Sequence, residues 1–153
     1  MYEVSWNEFE SLALDLAKKI DVSSMNFDAI VCVSRGGLLL GRILSSALDL
    51  PLGVISAKNI DGKYFVDNSI SFLYDIEGSI LLVDDVFEET SKIIVNLLNK
   101  NYNKIEKICL ASIFYKSKNI FKPDFFISEI KHSLDIVFPY QENVIFSRYK
   151  YKE

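Results

Sequence analysis

Four short apolar runs, separated by segments of helical character, constrain the fold of this 153-residue chain more than any other feature of its sequence. Within each run most consecutive positions are apolar, which is typical of strands buried on both faces of a parallel sheet. Between the runs, residues 38–49 and 92–100 carry apolar side chains at helical spacing. The alternation predicts an α/β fold, with a doubly wound, mainly parallel sheet flanked by helices. The four runs occupy residues 29–33, 52–56, 80–83 and 105–114.

Two further segments are assigned from their local patterns. Residues 5–20 predict a helix, because Trp6, Phe9 and later apolar residues recur at helical spacing after Ser5, a candidate N-cap. Residues 58–78 combine turn-forming residues with two short apolar runs. That mixture predicts either a hairpin or a mobile loop.

The chain has the length of one ordinary domain, and we expect a single domain over residues 1–153. No linker, repeat or low-complexity segment interrupts it. The predicted core spans about residues 20–118. Aromatic-rich and less regular sequence follows, and we expect about residues 119–141, together with the N-terminal helix, to form a small C-terminal hood over the sheet.

Charge and composition exclude several classes of partner. A formal net charge of −4 argues against nucleic acid, because phosphate backbones attract basic surfaces. The first residues lack the pattern of a signal peptide, and no apolar run reaches membrane-spanning length. We therefore expect a cytoplasmic protein without a membrane partner. Cys32 and Cys109 lie inside apolar runs and are predicted to be buried rather than to bind metal.

An acidic cluster follows one of the apolar runs. Residues 80–83 lead directly into Asp84 and Asp85, and Glu88 and Glu89 come shortly after. Adjacent carboxylates repel each other and are costly to bury without a partner, such as a cation, sugar hydroxyls or a metal-bound phosphate. Ligands of open α/β sheets bind outside the carboxyl ends of the strands. The cluster therefore predicts a ligand site, and a solvated strand end is the alternative.

A second motif, Ser34-Arg35-Gly36-Gly37, follows the first core strand. Glycines let backbone N–H groups converge on an anion, and the N-terminus of the next helix favours negative charge. Arg35 adds a bidentate donor. An ordinary strand-to-helix turn is the alternative interpretation. Because both motifs end core strands, we expect them at the same edge of the sheet.

The string Val-Asp-Asp-Val-Phe-Glu-Glu-Thr-Ser at residues 83–91 resembles the phosphoribosyl-diphosphate (PRPP) motif of type I phosphoribosyltransferases. The Ser-Arg-Gly-Gly loop, Lys116 and the run Phe138-Pro139-Tyr140 extend the resemblance to the small bacterial and archaeal purine members, the xanthine-guanine or hypoxanthine phosphoribosyltransferases. The resemblance covers about residues 5–141. It implies Mg²⁺-dependent transfer of the 5-phosphoribosyl group from PRPP to an oxo-purine, with release of pyrophosphate, in purine salvage. It also implies a homodimer or homotetramer.

The resemblance implies that one group of residues handles PRPP. Asp84 and Asp85 would hold the ribose hydroxyls, directly or through Mg²⁺ and its waters, and are the expected metal ligands. The Ser-Arg-Gly-Gly loop would contact the pyrophosphate, and the turn after the acidic pair would hold the 5′-phosphate. The expected PRPP-binding residues are Arg35, Gly36, Gly37, Asp84, Asp85, Glu88, Glu89, Thr90, Ser91 and Lys92.

A second group of residues is implied to meet the purine. Glu88 stands where the family usually carries an aspartate near the purine N7 and is a candidate proton acceptor. Lys116 would donate to the 6-oxo group, and the backbone of Asp135 and Ile136 would meet the 2-position. The expected catalytic residues are Arg35, Asp85 and Glu88.

The sequence departs from the family pattern in the phosphate turn and in the purine site. Thr90 stands where the turn usually has glycine, and Glu89 stands where it has threonine. Asp135 occupies a position at which an aromatic residue commonly stacks on the base. These departures favour an alternative, a non-catalytic PRPP- or nucleotide-binding regulatory module on the same fold. A phospho-acceptor receiver domain is a third hypothesis, and the Ser34-Arg35 ending of the first strand argues against it.

Overall fold

The structure is a computed structural model that describes residues 1–67, 69–72, 75–117 and 122–141. Its central feature is a six-stranded sheet with the strand order β4-β3-β2-β5-β6-β7. All neighbouring strands in this sheet are parallel except β3 and β4. The elements are β1 (Tyr2–Glu3), α1 (Trp6–Asp21), β2 (Ala29–Ser34), α2 (Leu38–Leu48), β3 (Leu52–Ile60), β4 (Lys63–Val66), β5 (Gly78–Phe87), α3 (Glu89–Asn101), β6 (Ile105–Lys116), β7 (Phe125–Ile130) and β8 (Ile136–Val137).

Helices cover both faces of the sheet, which confirms the predicted doubly wound α/β fold. On one face α1 and α2 pack against side chains such as Leu81 and Val83. On the other face α3 packs against side chains such as Ile80 and Leu82. Successive side chains of a strand point to opposite faces, so the part of a strand that is covered on both sides is apolar at most positions. This explains the apolar runs.

The ends of the helices and strands differ from the sequence-based expectations by a few residues, with one consequence for the site. Helix α1 begins at Trp6, after Ser5, whose Oγ accepts a hydrogen bond from the Glu8 N–H at 3.2 Å. Strand β5 continues to Phe87, so Asp84 and Asp85 lie within the strand rather than beyond its end. The extension forms because β6 continues alongside β5 and pairs with it as far as Phe87.

Residues 58–67 contribute to a hairpin, which is the first of the two expectations for this region. Strand β3 turns back into β4 at Asp61 and Gly62, which both have positive φ, as a two-residue type I′ turn requires. Ser71 then bridges to Val54 of β3. The rest of the predicted second run, residues 73 and 74, lies outside the described residues.

The segment that was predicted to form the hood, about residues 119–141, contributes one strand to each of two sheets. Strand β7 joins the edge of the main sheet beside β6. Strand β8 pairs in parallel with β1, and the Val4 N–H donates to the Val137 carbonyl at 2.9 Å. The N-terminus therefore holds residues 135–141 beside the carboxyl edge of the main sheet. Residues 118–121 and 142–153 lie outside the described ranges.

Both cysteines are free and buried, as the sequence indicated. Among the helices of the described ranges, none combines the length and apolar character that crossing a bilayer requires.

Candidate active site

A cavity of about 330 Å³ opens at the carboxyl edge of the main sheet. Its walls come from the ends of β2, β3, β5 and β6, from the start of α3, and from the segment that includes β8. A larger groove of about 1280 Å³ adjoins it and extends toward the β3–β4 hairpin. The smaller cavity is lined by Val33, Ser34, Arg35, Gly36, Ala57, Lys58, Asn59, Asp84, Asp85, Val86, Glu88, Thr90, Lys116, Asp135, Ile136, Phe138 and Gln141.

Nine of the residues singled out from the sequence line this one cavity, although they come from four distant parts of the chain. Gly37, Glu89, Ser91 and Lys92 were also expected at the site, and they do not line it. The nine residues are Arg35, Gly36, Asp84, Asp85, Glu88, Thr90, Lys116, Asp135 and Ile136.

The acidic pair is half-buried and held by hydrogen bonds from its own surroundings. The Asp85 N–H donates to Asp84 Oδ1 at 2.9 Å, and the Val86 N–H donates to Asp85 Oδ1 at 2.8 Å. The Tyr140 hydroxyl donates to Asp85 Oδ2 at 2.8 Å. These bonds fix the orientation of both carboxyl groups at the cavity wall.

Burial perturbs the ionisation of the pair. Loss of hydration raises the pKa of Asp84 well above its ordinary value, and the neighbouring charge of Asp85 raises it further. Burial also raises the pKa of Asp85, and the hydrogen bond from Tyr140 opposes that rise. Two carboxylates that are destabilised in this way favour a bound cation or a set of hydroxyl donors.

Glycine is required by close contacts at both positions of the Gly36-Gly37 pair. A Cβ on Gly37 would lie 2.7 Å from the Val83 carbonyl oxygen and 2.9 Å from the Val33 carbonyl oxygen. A Cβ on Gly36 would lie 2.8 Å from each carboxylate oxygen of Asp85. Gly37 must therefore be glycine because backbone atoms surround it. Gly36 allows the loop after β2 to lie against the Asp85 carboxylate of β5.

Lys116 and Glu88 form an ion pair of 3.0 Å at the cavity wall. Lys116 ends β6, and Glu88 precedes α3 with an extended backbone. The Lys116 side chain is only 18% exposed, against 45% for Glu88, so the pair is partly shielded from water. A strong donor and a strong acceptor therefore stand next to each other beside the acidic pair.

The turn into α3 has no left-handed residue: across residues 84–92, which the structure describes in full, no φ is positive. Thr90 lines the cavity at the first turn of the helix, and the Ser91 N–H donates to the Glu88 carbonyl at 3.1 Å. Ser91 Oγ is buried and has no hydrogen-bond partner in the described part of the chain. Anion binding at this turn would therefore depend on N–H groups of the helix N-terminus rather than on a left-handed residue.

Tyr140 is a site residue whose main contact the sequence did not indicate. The sequence singled it out only as part of the run Phe138-Pro139-Tyr140, and 55 residues separate it from Asp85. Lys58, Asn59 and Gln141 also line the cavity and were not predicted. Lys58 and Asn59 reach it because β3 continues beyond the five residues that the apolar run indicated.

Comparisons with known proteins agree with this architecture. The model of the phosphoribosyl transferase domain family matches residues 5–144. A purine phosphoribosyltransferase from Pyrococcus horikoshii OT3 is 27% identical, with a TM-score of 0.77 over 92% of this chain and 93% of that chain. The xanthine-guanine-hypoxanthine phosphoribosyltransferase of Helicobacter pylori is 23% identical, with a TM-score of 0.78 over 96% of this chain and 97% of that chain.

A hypothetical protein from Neisseria gonorrhoeae, solved with bound ppGpp, shares the fold at 16% identity, with a TM-score of 0.70 over 96% of this chain and 94% of that chain. The family match spans nearly the whole chain, and the strand order and the acidic pair in β5 accompany it. The chain therefore belongs to the phosphoribosyl transferase domain family, and its resemblance to the small purine phosphoribosyltransferases is confirmed.

Proposed function

We propose that this protein is a purine phosphoribosyltransferase that transfers the 5-phosphoribosyl group from PRPP to an oxo-purine and releases pyrophosphate. The observation that carries the proposal is the Glu88–Lys116 ion pair, which lines the same cavity as the acidic pair Asp84 and Asp85. One part of this cavity suits a phosphorylated sugar, and the adjoining part suits a flat ring with a hydrogen-bond acceptor beside an N–H donor. The family match supports joining the two in one reaction.

In the proposed reaction a purine ring nitrogen forms a bond to C1 of PRPP as the bond from C1 to pyrophosphate breaks. Positive charge develops on the ribosyl ring and negative charge on the leaving pyrophosphate. Asp84 and Asp85 would hold the ribose hydroxyls, and Arg35 and the Gly36 backbone would meet the pyrophosphate. Thr90 and the N-terminus of α3 would meet the 5′-phosphate. Catalysis then depends on positioning and electrostatic stabilisation.

The Glu88–Lys116 pair supports an assignment of the purine orientation. Lys116 would donate to the 6-oxo group, while Glu88 would accept the proton near N7. The backbone of Asp135 and Ile136, which lines the cavity, would face the 2-position. Adenine has an amino group at the 6-position, so a lysine donor there favours oxo-purines.

Magnesium is the cofactor that this reaction implies, and the residues present fit it. Mg²⁺ prefers oxygen ligands and usually binds through one or two carboxylates together with waters and substrate phosphates. Asp84 and Asp85 offer such carboxylates, and across the described ranges no three acidic, histidine or cysteine side chains converge to hold a metal alone. The ion would neutralise charge on PRPP and its leaving group, and these two aspartates would hold it.

Gly36→Ala is expected to weaken PRPP binding by about tenfold, roughly the loss of one hydrogen bond to a charged group. The added methyl would lie 2.8 Å from both Asp85 carboxylate oxygens and would push that side chain aside. Calorimetric titration with PRPP and Mg²⁺ measures the effect. Gly62→Ala is the control, because nothing lies within 4 Å of its Cβ position and Gly62 does not line the cavity. Equal PRPP affinity in wild type and Gly36→Ala would contradict the assignment.

Lys116→Met is expected to raise the KM for hypoxanthine by about 10–100-fold, since it removes a charged donor to the 6-oxo group. A spectrophotometric assay with hypoxanthine, guanine, xanthine and adenine measures this and the base preference together. The matched control is Lys104→Met, which breaks a lysine–aspartate pair of 3.2 Å with Asp75 at the opposite end of the sheet. The control should leave the KM unchanged.

An unchanged hypoxanthine KM in Lys116→Met would contradict the proposed purine orientation. A wild-type preference for adenine would contradict the oxo-purine specificity itself.

We also propose that the chain acts as a homodimer or homotetramer in cytoplasmic purine salvage. Exposed apolar side chains border the larger groove, where Leu38 and Leu39 are 37% and 38% exposed and Phe65 is 55% exposed. Such side chains clustered on one side of a protein support a contact between subunits.

A non-catalytic nucleotide-binding regulatory module is the second candidate function. The specific observation in its favour is the turn at residues 84–92, which has no positive φ. The N. gonorrhoeae protein with bound ppGpp also has this fold. Binding of PRPP or a purine nucleotide without turnover of any base would favour this candidate over the enzyme.

A further inference from the structure

We infer that Tyr140 is a positioning residue for the PRPP site and that its hydroxyl fixes the Asp85 carboxylate in the orientation that receives the ribose. The inference rests on the proposed function. Its starting point is the 2.8 Å hydrogen bond from the Tyr140 hydroxyl to Asp85 Oδ2. That bond connects the segment after β8 to the acidic pair of β5, across the cavity that both segments line.

Two hydrogen bonds on different oxygens hold the Asp85 carboxylate. The Val86 N–H donates to Oδ1 at 2.8 Å, and the Tyr140 hydroxyl donates to Oδ2. A carboxylate held at one oxygen can still rotate about its last side-chain bond, whereas one held at both cannot. Each carboxylate oxygen accepts about two hydrogen bonds, so both oxygens keep a second direction for a ligand. Tyr140 therefore orients Asp85 without using up its capacity to bind.

The position of the Tyr140 hydroxyl is itself set by packing of the aromatic ring. The ring stacks on Phe138 at a centroid distance of 5.3 Å with an interplanar angle of 10°. Phe9 meets it edge-on at 5.2 Å, and Trp6 lies at 6.2 Å. Helix α1 and the segment after β8 thus determine where the hydroxyl lies.

Tyr140→Phe separates this role from simple packing, because phenylalanine keeps the ring and loses only the hydroxyl. We expect PRPP to bind the variant about tenfold more weakly, as measured by calorimetric titration with Mg²⁺. The KM for the purine should stay within about twofold, because Asp85 contacts the sugar and not the base. The melting temperature should change by no more than about 4 °C.

Tyr115→Phe is the matched control. It removes a comparable bond from a tyrosine hydroxyl to a carboxylate, the 2.5 Å contact with Glu129 Oε2, and Tyr115 does not line the cavity. PRPP affinity should be unchanged in this variant, which shows that loss of a hydroxyl–carboxylate bond elsewhere does not disturb the site.

Three results would overturn the role of Tyr140: unchanged PRPP affinity in Tyr140→Phe, tighter PRPP binding, or an equal loss of PRPP and purine affinity. If wild-type protein binds PRPP and Tyr140→Phe binds it as tightly as Tyr115→Phe does, only this inference is overturned. A wild-type protein that binds no PRPP overturns the proposed function and this role with it.

Discussion

Asp84→Asn is expected to weaken PRPP binding by about 100-fold or more and, at the same time, to raise the melting temperature of the ligand-free protein. The loss of affinity follows because a carboxylate proposed to hold the ribose or Mg²⁺ becomes neutral. The gain in stability follows because the folded protein no longer buries this charge beside Asp85. A gain of about 1 kcal/mol corresponds to roughly 2–4 °C for a domain of this size.

The difference in unfolding free energy between Asp84→Asn and wild type should depend on pH, and the direction of that dependence follows from the pKa of Asp84. The pKa of Asp84 is higher in the folded protein than in the unfolded chain, because burial disfavours the charged form. Between those two pKa values the folded state binds more protons, so the free energy of unfolding falls as pH rises. Below the ordinary aspartate value of about 3.9 the penalty is absent. The advantage of Asp84→Asn should therefore be largest at neutral pH and should vanish in acid.

Thermal unfolding without Mg²⁺, from about pH 4 to neutral, measures the stability difference, and calorimetry measures the affinity. Asp75→Asn is the matched control, since the Asp75 side chain is 86% exposed and pays no comparable burial cost. An Asp84→Asn protein that is less stable than wild type at neutral pH would show that the acidic pair is compensated in the folded state.

Phe138→Ala is expected to lower the free energy of unfolding by about 3–5 kcal/mol, the usual cost of deleting a buried aromatic ring. Phe138 is 1% exposed and packs against Phe9 at 6.1 Å and Phe114 at 6.0 Å. It therefore joins α1, β6 and the segment after β8 in one cluster. The stacking partner of Tyr140 would also be lost, so PRPP affinity should fall as well.

Urea unfolding of wild type and Phe138→Ala measures the loss in the free energy of unfolding. Val22→Ala is the control, because Val22 is 77% exposed, lies away from the groove proposed for the subunit contact, and should cost no more than about 0.5 kcal/mol when shortened. Similar costs at the two positions would contradict the conclusion that the segment after β8 is packed into the core.

Residue patterns in the sequence were sufficient to predict four strands of the sheet and the helices that follow them in the chain. Strand β2 and the buried middle of β6 are apolar at nearly every position because helices cover both faces, and that pattern is visible without any structure. The acidic pair and the Ser-Arg-Gly-Gly loop could be assigned to one edge for the same reason. Parallel strands end at a common edge, so two unusual strand endings come together.

Contacts between distant segments were not predictable in the same way. Strand β5 extends past the acidic pair only because β6 runs beside it, and pairing of this kind leaves no local signal. The bond from Tyr140 to Asp85 depends on an aromatic cluster whose members lie in α1 and after β8. The pairing of β1 with β8 likewise joins the two ends of the described chain.

The most direct test of the proposed function is product analysis by chromatography and mass spectrometry after incubation with PRPP, Mg²⁺ and each of guanine, hypoxanthine and xanthine. The proposed function predicts equal amounts of a nucleoside 5′-monophosphate and pyrophosphate from at least one base. Wild-type protein that forms neither product from any of the three bases would contradict it.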